Sequence, residues 1–205
     1  MASDNELVRA WRAGDQQSGS VLFERYFVSI RRFFRNKVDH GAEDLVQRTF
    51  VACLEGRDRF REEASFRTYL FAIAHNLLRE HFRRQRRSPE ELDLEKLSIV
   101  DLGASPTSLL AVRAEEKLLL HALRQLPLAA QVILELYFWE QLSGAELGAF
   151  LGVPEDTARS RLRRAKKQLE EAIHRLARNP ADLDSTLAGL DRWAESLRVQ
   201  LAPAS

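Results

Sequence analysis

Cysteine, proline and long apolar runs are all scarce in this sequence of 205 residues, which has one cysteine and six prolines. The single cysteine, Cys53, excludes an internal disulfide and a cysteine-based zinc site, and its apolar helical surroundings predict a buried core thiol. No apolar run is long enough to cross a bilayer, and the N-terminus lacks the apolar region of a signal peptide. We therefore expect a soluble, cytoplasmic protein without membrane insertion.

The motifs of common enzyme active sites are also missing. The sequence contains no Ser–His–Asp set, no cluster of metal ligands, no P-loop and no Gly-rich dinucleotide loop, and its five histidines are scattered. We therefore expect no enzymatic activity, no catalytic residues, no metal and no cofactor. The formal net charge is only +1, so any affinity for a nucleic acid must come from charge that is segregated on particular faces.

Helical periodicity fills most of the chain, and no segment alternates convincingly like a strand. The expected helices cover residues 4–14, 19–38, 42–55, 65–87, 105–126 and 128–139, and two more follow Ser143. In the second helix, Arg25, Arg31, Arg32, Arg35 and Lys37 are expected to face outward. Residues 88–105 are partly acidic and weakly periodic, which predicts a linker extended over a partner. The prediction is an all-α fold with two helical domains, at 1–87 and 106–178, joined by that linker.

The stretch at 143–167 predicts a helix-turn-helix. Ser143 and Glu146 have the spacing of a capping box, which satisfies backbone N–H groups where a helix starts. Gly152 suits a left-handed residue in the turn. Pro154 is expected in the first turn of the second helix, where its missing N–H costs nothing.

The second helix of this motif is predicted to have one apolar face and one basic face. An apolar stripe runs from Ala158 to Ile173 at helical spacing, and the opposite face carries Arg159, Ser160, Arg163, Arg164 and Lys167. Two interpretations are open, a solvated helix face or a face that contacts DNA in the major groove. No acidic residue lies between Arg159 and Lys167 to form helical ion pairs, and Gly148 permits a close helix crossing. These features favour DNA contact.

Four stretches of the chain together resemble a known family. They are GAEDLVQRTF at residues 41–50, SFRTYLFAIAHN at residues 65–76, Leu126-Pro127 with the helix after it, and residues 142–165. In this order and spacing they resemble the RNA polymerase sigma factors of the extracytoplasmic-function (ECF) group, over roughly residues 6–175. The resemblance implies that the first stretch docks on the clamp coiled coil of polymerase. It also implies that the second stretch reads and opens the promoter −10 element and that the last two form the −35-binding domain.

The resemblance also implies roles for individual residues. Core RNA polymerase would contact Asp44 and Gln47, although Asp44 also has the simpler interpretation of a favourable charge near a helix N-terminus. The −10 element would contact Phe60, Tyr69, Asn76, Arg79, Arg83 and Arg84. The −35 element would contact Arg159, Ser160, Arg163, Arg164 and Lys167. Phe60 and Asn76 have structural alternatives, as a small core plug and as a satisfied polar residue of a helix.

The sequence therefore predicts a sigma factor that binds core RNA polymerase and promoter DNA, with an anti-sigma factor as a candidate partner. The rival is a stand-alone helix-turn-helix transcriptional regulator, which should bind duplex DNA tightly by itself, usually as a symmetric dimer. A third reading is an all-helical adaptor that binds acidic proteins through its basic faces and shows no salt-steep DNA binding.

Residues 179–205 form a C-terminal extension beyond what the family core requires. After Asn179-Pro180, apolar residues at three- and four-residue steps predict an amphipathic helix, namely Leu183, Leu187, Leu190, Trp193, Leu197 and Leu201. Two interpretations are open. The helix either caps the core of the second domain or regulates the protein by docking on its basic faces or its polymerase-binding surface.

Overall fold

The computed structural model describes residues 2–85, 96–101 and 114–176, and these residues are helical apart from their turns and loops and one isolated bridge between Ser98 and Pro127. The first half consists of α1 (Asp4–Arg12), α2 (Gln16–Arg35), α3 (Ala42–Gly56) and α4 (Phe66–Gln85), with a 3-10 turn at Arg57–Arg59. The second half consists of α5 (Ala114–Arg124), α6 (Leu128–Phe138), α7 (Gly144–Leu151) and α8 (Glu155–Leu176). The predicted all-α class is confirmed, whereas the C-terminal extension lies outside the described residues.

Two helices begin at other residues than predicted. Helix α2 starts at Gln16 rather than at Gly19, because the Asp15 carboxylate caps it and accepts the Gln17 N–H at 3.0 Å. Helix α8 starts at Glu155, and the carbonyl of Pro154 accepts the Ala158 N–H at 3.1 Å. Pro154 therefore occupies the capping position that precedes the first turn, one residue earlier than expected.

A single apolar core runs through both halves. Its large buried rings in the first half include those of Trp11, Phe34, Phe66, Phe71 and Phe82. Cys53 is fully buried in the same core, as predicted, and burial raises the pKa of its thiol to about 12. In the second half the predicted stripe of α8 is buried, and its members are Ala158, Leu162, Ala165, Leu169 and Ile173.

Residues 96–101 belong to the predicted linker, yet they pack on the second half. Ile99 is fully buried, and the carbonyl of Leu97 accepts the Leu128 N–H at 2.9 Å. Burying a side chain of this size is worth roughly 1.5–3 kcal/mol relative to exposure, which favours the packed arrangement. This stretch covers the start of α6 and does not extend away from the protein as the sequence suggested.

Candidate nucleic-acid interface

Helices α7 and α8 form the helix-turn-helix. Ser143 Oγ accepts the Glu146 N–H at 3.2 Å, and Glu146 Oε2 accepts the Ser143 N–H at 2.9 Å, so the capping box is complete. Gly152 takes the left-handed conformation, with φ of +65°. A Cβ atom at Gly148 would lie only 2.9 Å from the carbonyl oxygen of Val153, so glycine lets the turn fold back closely over α7. The two helices therefore hold each other at a fixed angle.

The outer face of α8 exposes every residue that the sequence assigned to the −35 element, namely Arg159, Ser160, Arg163, Arg164 and Lys167. Glu155 accepts a hydrogen bond from Arg159 Nε at 2.8 Å, and that bond raises the pKa of Arg159. Lys167 Nζ lies 3.9 Å from Glu171. Glu155 and Glu171 lie just outside the stretch from Arg159 to Lys167, which contains no acidic residue. Ion pairs between exposed side chains of one helix are weak, so they leave these cations available to a polyanion.

A second basic feature lies beside this face and was not predicted. Lys96, Arg161 and Arg164 line a hollow of about 340 Å³ next to the first turn of α6. The start of a helix carries partial positive charge, which adds to that of the three side chains. This basic hollow is hard to predict from the sequence, because Lys96 is far from α8 along the chain.

Helix α4 carries the second cationic face. Asn76, Arg79 and Arg83 are exposed and recur at three- and four-residue steps, so they form one stripe along the helix. Arg84 is also exposed and forms an ion pair with Glu80 one turn earlier. The residues predicted to contact a phosphate backbone therefore share one end of α4.

Phe60 lies in the core rather than on this face. Its side chain is only 7% exposed, stacks on Tyr69 with ring centroids 4.8 Å apart, and meets Phe66 edge-on at 6.1 Å. The structure thus places Phe60 as a core plug, the structural alternative, and in this conformation its ring is not exposed for contact with the −10 element. Tyr69 is half-buried beside it, and burial raises the pKa of its phenol. Phe60 belongs to the loop at residues 57–64, and the exposed arginines of that loop are Arg59 and Arg61.

Helix α1 holds the loop at residues 57–64 in place. Arg12 donates from Nε to the Arg57 carbonyl at 3.1 Å and from a second nitrogen to the Phe60 carbonyl. Arg12 also pairs with Glu62 at 3.2 Å, and Arg9 pairs with the same carboxylate at 3.0 Å. The loop is therefore tied down at three points along its length.

Asp44 and Gln47 are both exposed on α3, three residues apart. Gly41 precedes this helix and provides no side-chain cap, so the acidic first turn supplies the negative charge that the helix N-terminus favours. Asp44 therefore has the exposure that contact with a partner requires and also a position that stabilises its own helix.

A buried ion pair joins the two halves. Lys37 follows α2 and pairs with Glu135 of α6, and their side chains are 0% and 3% exposed. Lys37 Nζ also donates to the Phe33 carbonyl at 2.9 Å, and Glu135 accepts from Gln131 Nε2 at 2.8 Å. Burial lowers the pKa of Lys37 and raises that of Glu135, but each charge keeps its partner.

The expectation that Lys37 faces outward is wrong. Helix α2 ends at Arg35, so Lys37 leaves the helical register and turns toward α6. Arg32, also expected outside, is largely covered and pairs with Glu140. The sequence of α6, LAAQVILELYF, could have indicated that a basic residue is buried against it, because Glu135 is the single charged residue of this helix. A carboxylate on a helix that is buried all round needs a buried cation.

Helix α7 also contacts α4. Glu146 Oε1 accepts Ser65 Oγ at 3.0 Å and an Arg67 nitrogen at 3.3 Å, and the rings of His75 and Phe150 lie 5.3 Å apart. Burial, with a smaller contribution from neighbouring cations, lowers the pKa of His75 to about 4, so its imidazole is neutral. The first half of α4 therefore lies against the helix-turn-helix in this arrangement.

Two family models match the sequence, sigma-70 region 2 over residues 22–88 and sigma-70 region 4 over residues 116–169. The first match covers α2 to α4 and the second covers α5 to most of α8, so the matches correspond to the two halves with their separate cationic faces. The chain belongs to the sigma-70 family and, within it, to the ECF RNA polymerase sigma factors, which direct polymerase to promoters.

Curated relatives extend over nearly the whole chain. The ECF RNA polymerase sigma-E factor of Escherichia coli (strain K12) is 26% identical over 185 residues, which cover 86% of this chain and 97% of that protein. The sigma-E factor of Haemophilus influenzae is 26% identical over 183 residues, which cover 85% and 97% of the two chains.

Two solved structures share the fold. The structure of CnrH in complex with the cytosolic domain of CnrY matches with a TM-score of 0.63 and 22% identity, covering 85% of this chain and 99% of that one. The sigma factor RpoE in complex with the anti-sigma factor NepR from Bartonella quintana matches with a TM-score of 0.57 and 21% identity, covering 76% and 96%. In the part of this chain that the structure describes, no helix is both long and apolar enough to cross a membrane.

Proposed function

We propose that the two exposed cationic faces divide promoter recognition, with α8 reading the −35 element and α4 the −10 element. The observation that carries the proposal is their separation, since each face lies on a different helix whose opposite side is buried. The corresponding units are residues 1–87 and 106–178, joined by 88–105.

The face of α8 has the chemistry to read bases in duplex DNA. Arg159, Arg163 and Arg164 can each make a bidentate contact to guanine, which discriminates by about 1–3 kcal/mol. Ser160 and Lys167 complete the face, and Lys167 contacts phosphate, which sets orientation without reading sequence. Arg161 and Lys96 add positive charge beside the same face.

The face of α4 suits a separated strand. Unstacking a base from the duplex costs a few kcal/mol. Stacking of that base on the protein and contacts to its edge offset roughly 1–3 kcal/mol per base. Asn76 provides an amide for a base edge, and Arg79, Arg83 and Arg84 neutralise the phosphates. Because Phe60 and Tyr69 stack on each other inside the domain, their contribution is to support the loop at 57–64, from which Arg59 and Arg61 reach the DNA.

The remaining assignments concern partners and setting. Asp44 and Gln47 contact core RNA polymerase from the exposed side of α3. The protein performs no bond chemistry, which belongs to polymerase, and it works in the cytoplasm where the template is. An anti-sigma factor is a further partner, in line with the relative that was solved in complex with NepR.

Transcription in vitro tests the central proposal. Core polymerase, the purified chain and a promoter library that is randomised at both elements should give transcripts from a defined subset of templates. Core polymerase alone is the control and should show no such selection.

The rival, a stand-alone regulator, makes a different prediction for the same material. It would bind duplex DNA tightly as a dimer without polymerase, and core polymerase would gain no promoter selectivity from it. Tight binding of duplex DNA without polymerase, together with no gain in promoter selectivity, would overturn the proposal that α8 reads the −35 element and α4 the −10 element.

A further inference from the structure

The hollow beside α8 brings together positive charge from distant parts of the chain. Lys96 comes from the stretch at 96–101, and Arg161 and Arg164 come from α8. Gln168, one turn after Arg164, adds a side-chain amide that can donate hydrogen bonds. Among the residues that the structure describes, no acidic one lines this hollow, whose volume is about 340 Å³. A concave surface lined by charge of one sign concentrates its field, so the hollow should attract anions.

The two arginines of the hollow differ from Arg159 and Lys167 on the same helix. Each of those two residues has a glutamate one turn away on α8. In the part of the chain that the structure describes, neither Arg161 nor Arg164 pairs with a carboxylate, and both are exposed. An anion that enters the hollow therefore meets two guanidinium groups that no acidic side chain neutralises.

The start of α6 adds backbone donors to the same hollow. Ala129 and Ala130, the second and third residues of α6, line it. The first residue, Leu128, donates its N–H to the Leu97 carbonyl at 2.9 Å, whereas the next two N–H groups have no acceptor within the helix. Pro127 precedes the helix and provides no side-chain cap. An anion here also gains from the positive end of the helix dipole.

The backbone at Lys96 is held in place by the residues that follow it. Ser98 pairs with Pro127 in the isolated bridge, and Ile99 is fully buried. Ser98 Oγ also donates to the Asp101 carboxylate at 2.7 Å. These contacts keep Lys96 beside α8 in the folded protein, so the hollow is formed before a ligand arrives.

The hollow lies on the flank of α8 that faces away from α7. A Cβ atom at Gly144 of α7 would lie 2.9 Å from Arg159 Nε, so α7 borders α8 on the side of Arg159. Gln168 follows nine residues later, and at about 100° per residue it lies on the opposite side of the helix. Arg164 belongs both to the hollow and to the exposed basic face, so the two surfaces are continuous.

A helix that enters the major groove has a phosphate backbone on each side. The groove is about 12 Å wide and a helix with its side chains is about 10–12 Å across, so both flanks come close to phosphates. One flank of α8 is bordered by α7, and the other carries the hollow. Because the hollow continues the face that meets DNA, the anion that it suits best is part of the same DNA.

We propose that the hollow is a phosphate site, and that it holds a backbone phosphate of the strand that borders the −35 element on the side of α8 away from α7. This rests on the proposed function of α8 and extends it. Arg161, Lys96 and Gln168 orient the helix in the groove, whereas Arg163 on the exposed face contacts bases. The phosphate contact carries no sequence information, but it sets the register from which the bases are read.

Methylphosphonate interference locates the phosphate. Each backbone phosphate around the −35 element is replaced in turn by an uncharged methylphosphonate, and the affinity of core polymerase carrying the full chain is measured. One or two adjacent positions on one strand should weaken binding by about tenfold, as expected for the loss of a hydrogen bond to a charged group. In the Arg161→Ala variant the loss at the same positions should fall to about threefold or less, because the contact is already weakened.

Two further variants are controls. Arg161→Lys keeps the charge and should keep most of the sensitivity at these positions. Arg175→Ala removes an exposed arginine 14 residues further along α8, about 21 Å away, and should leave the sensitivity unchanged. Salt gives a second readout. Arg161→Ala should lower the slope of log affinity against log salt by about one, and to the same degree on every template.

The outcomes separate the phosphate site from the proposed function. If the wild-type chain selects promoters but Arg161→Ala leaves every methylphosphonate effect intact, the phosphate site is wrong and the proposed function stands. If core polymerase binds no promoter with any form of the chain, both are wrong.

A free phosphate compound is the other source of the same chemistry. Titration of the full chain with inorganic phosphate and with ATP, followed by phosphorus NMR, tests it without DNA. Saturable binding that Arg161→Ala abolishes, together with methylphosphonate effects that this variant leaves intact, would assign the hollow to a free ligand and overturn its assignment to DNA.

Discussion

Lys37 and Glu135 are 98 residues apart in sequence and form an ion pair that is almost completely buried between the two halves of the protein. The lysine is further held by the Phe33 carbonyl and by the Phe33 ring, whose centroid lies 4.0 Å from Nζ. The glutamate is oriented by Gln131. A pair of this kind makes each charge depend on the other, since either one alone would be buried without a partner.

Removing one member of this pair should therefore cost more than removing both. Lys37→Met and Glu135→Met should each lower the free energy of unfolding by about 3–5 kcal/mol, because each leaves an uncompensated buried charge. The double variant should recover most of that loss, since no charge is left. Urea unfolding of the four proteins measures the difference, and a double variant as unstable as the sum of the single ones would contradict the coupling.

Two substitutions on α8 should separate base reading from phosphate contact. Arg163→Ala should relax sequence preference at one position of the −35 element, with a loss of about 1–3 kcal/mol on preferred templates. Lys167→Ala should weaken all promoters to a similar degree and reduce the salt dependence of binding. Transcription from a promoter library at two salt concentrations gives both readouts. Equal losses across all templates from both variants would show that the assignment of these two residues is wrong.

His75 should make the protein less stable as the pH falls. Its pKa is about 4 in the folded protein, and it would be 6.5 without burial, so the unfolded chain takes up a proton first. Stability should decline between pH 6.5 and pH 4, by at most about 1.4 kcal/mol per pH unit from this group. His75→Phe, which keeps a ring against Phe150, should show a shallower decline in urea unfolding between these pH values. Parallel curves for the two proteins would exclude His75 as a source of the pH dependence.

The close crossing of α7 and α8 should be sensitive to one methyl group. Gly148→Ala places a Cβ 2.9 Å from the Val153 carbonyl oxygen, and relieving such a contact costs typically about 1–3 kcal/mol. Each kcal/mol should lower Tm by about 2–4 °C in a chain of this size. Gly152→Asn is the matched control, because a side chain there meets no atom within 4 Å and asparagine tolerates the left-handed conformation. Thermal unfolding measures the Tm of both variants. A larger decrease in Tm for Gly152→Asn than for Gly148→Ala would refute the argument.

The helices could be predicted from sequence because their periodicity is local. Capping residues such as Ser143 and the apolar stripe of α8 act within a few residues of the chain, and the structure has them where they were expected. The exposed basic face of α8 follows from the same periodicity, since burying one side of a helix exposes the other.

Several misplaced residues make contacts between different elements of the fold, whereas the starts of α2 and α8 depend on local caps. Lys37 finds Glu135 in the other half, Phe60 finds Tyr69 across a loop, and Ile99 finds the core beside α6. Gly19 suggested a helix boundary, but it lies inside α2, where a Cβ would come within 2.5 Å of the Trp11 indole nitrogen. In each case a tertiary contact decided what the local pattern left ambiguous.

The carboxylate of Glu146 divides its two oxygens between separate tasks. Oε2 holds the Ser143 N–H and hydroxyl within its own helix cap, while Oε1 reaches Ser65 and Arg67 of the other half. The first task does not depend on the second. A helix-turn-helix that moves away from α4 would therefore keep its own cap, so the start of α7 does not depend on contact with the other half.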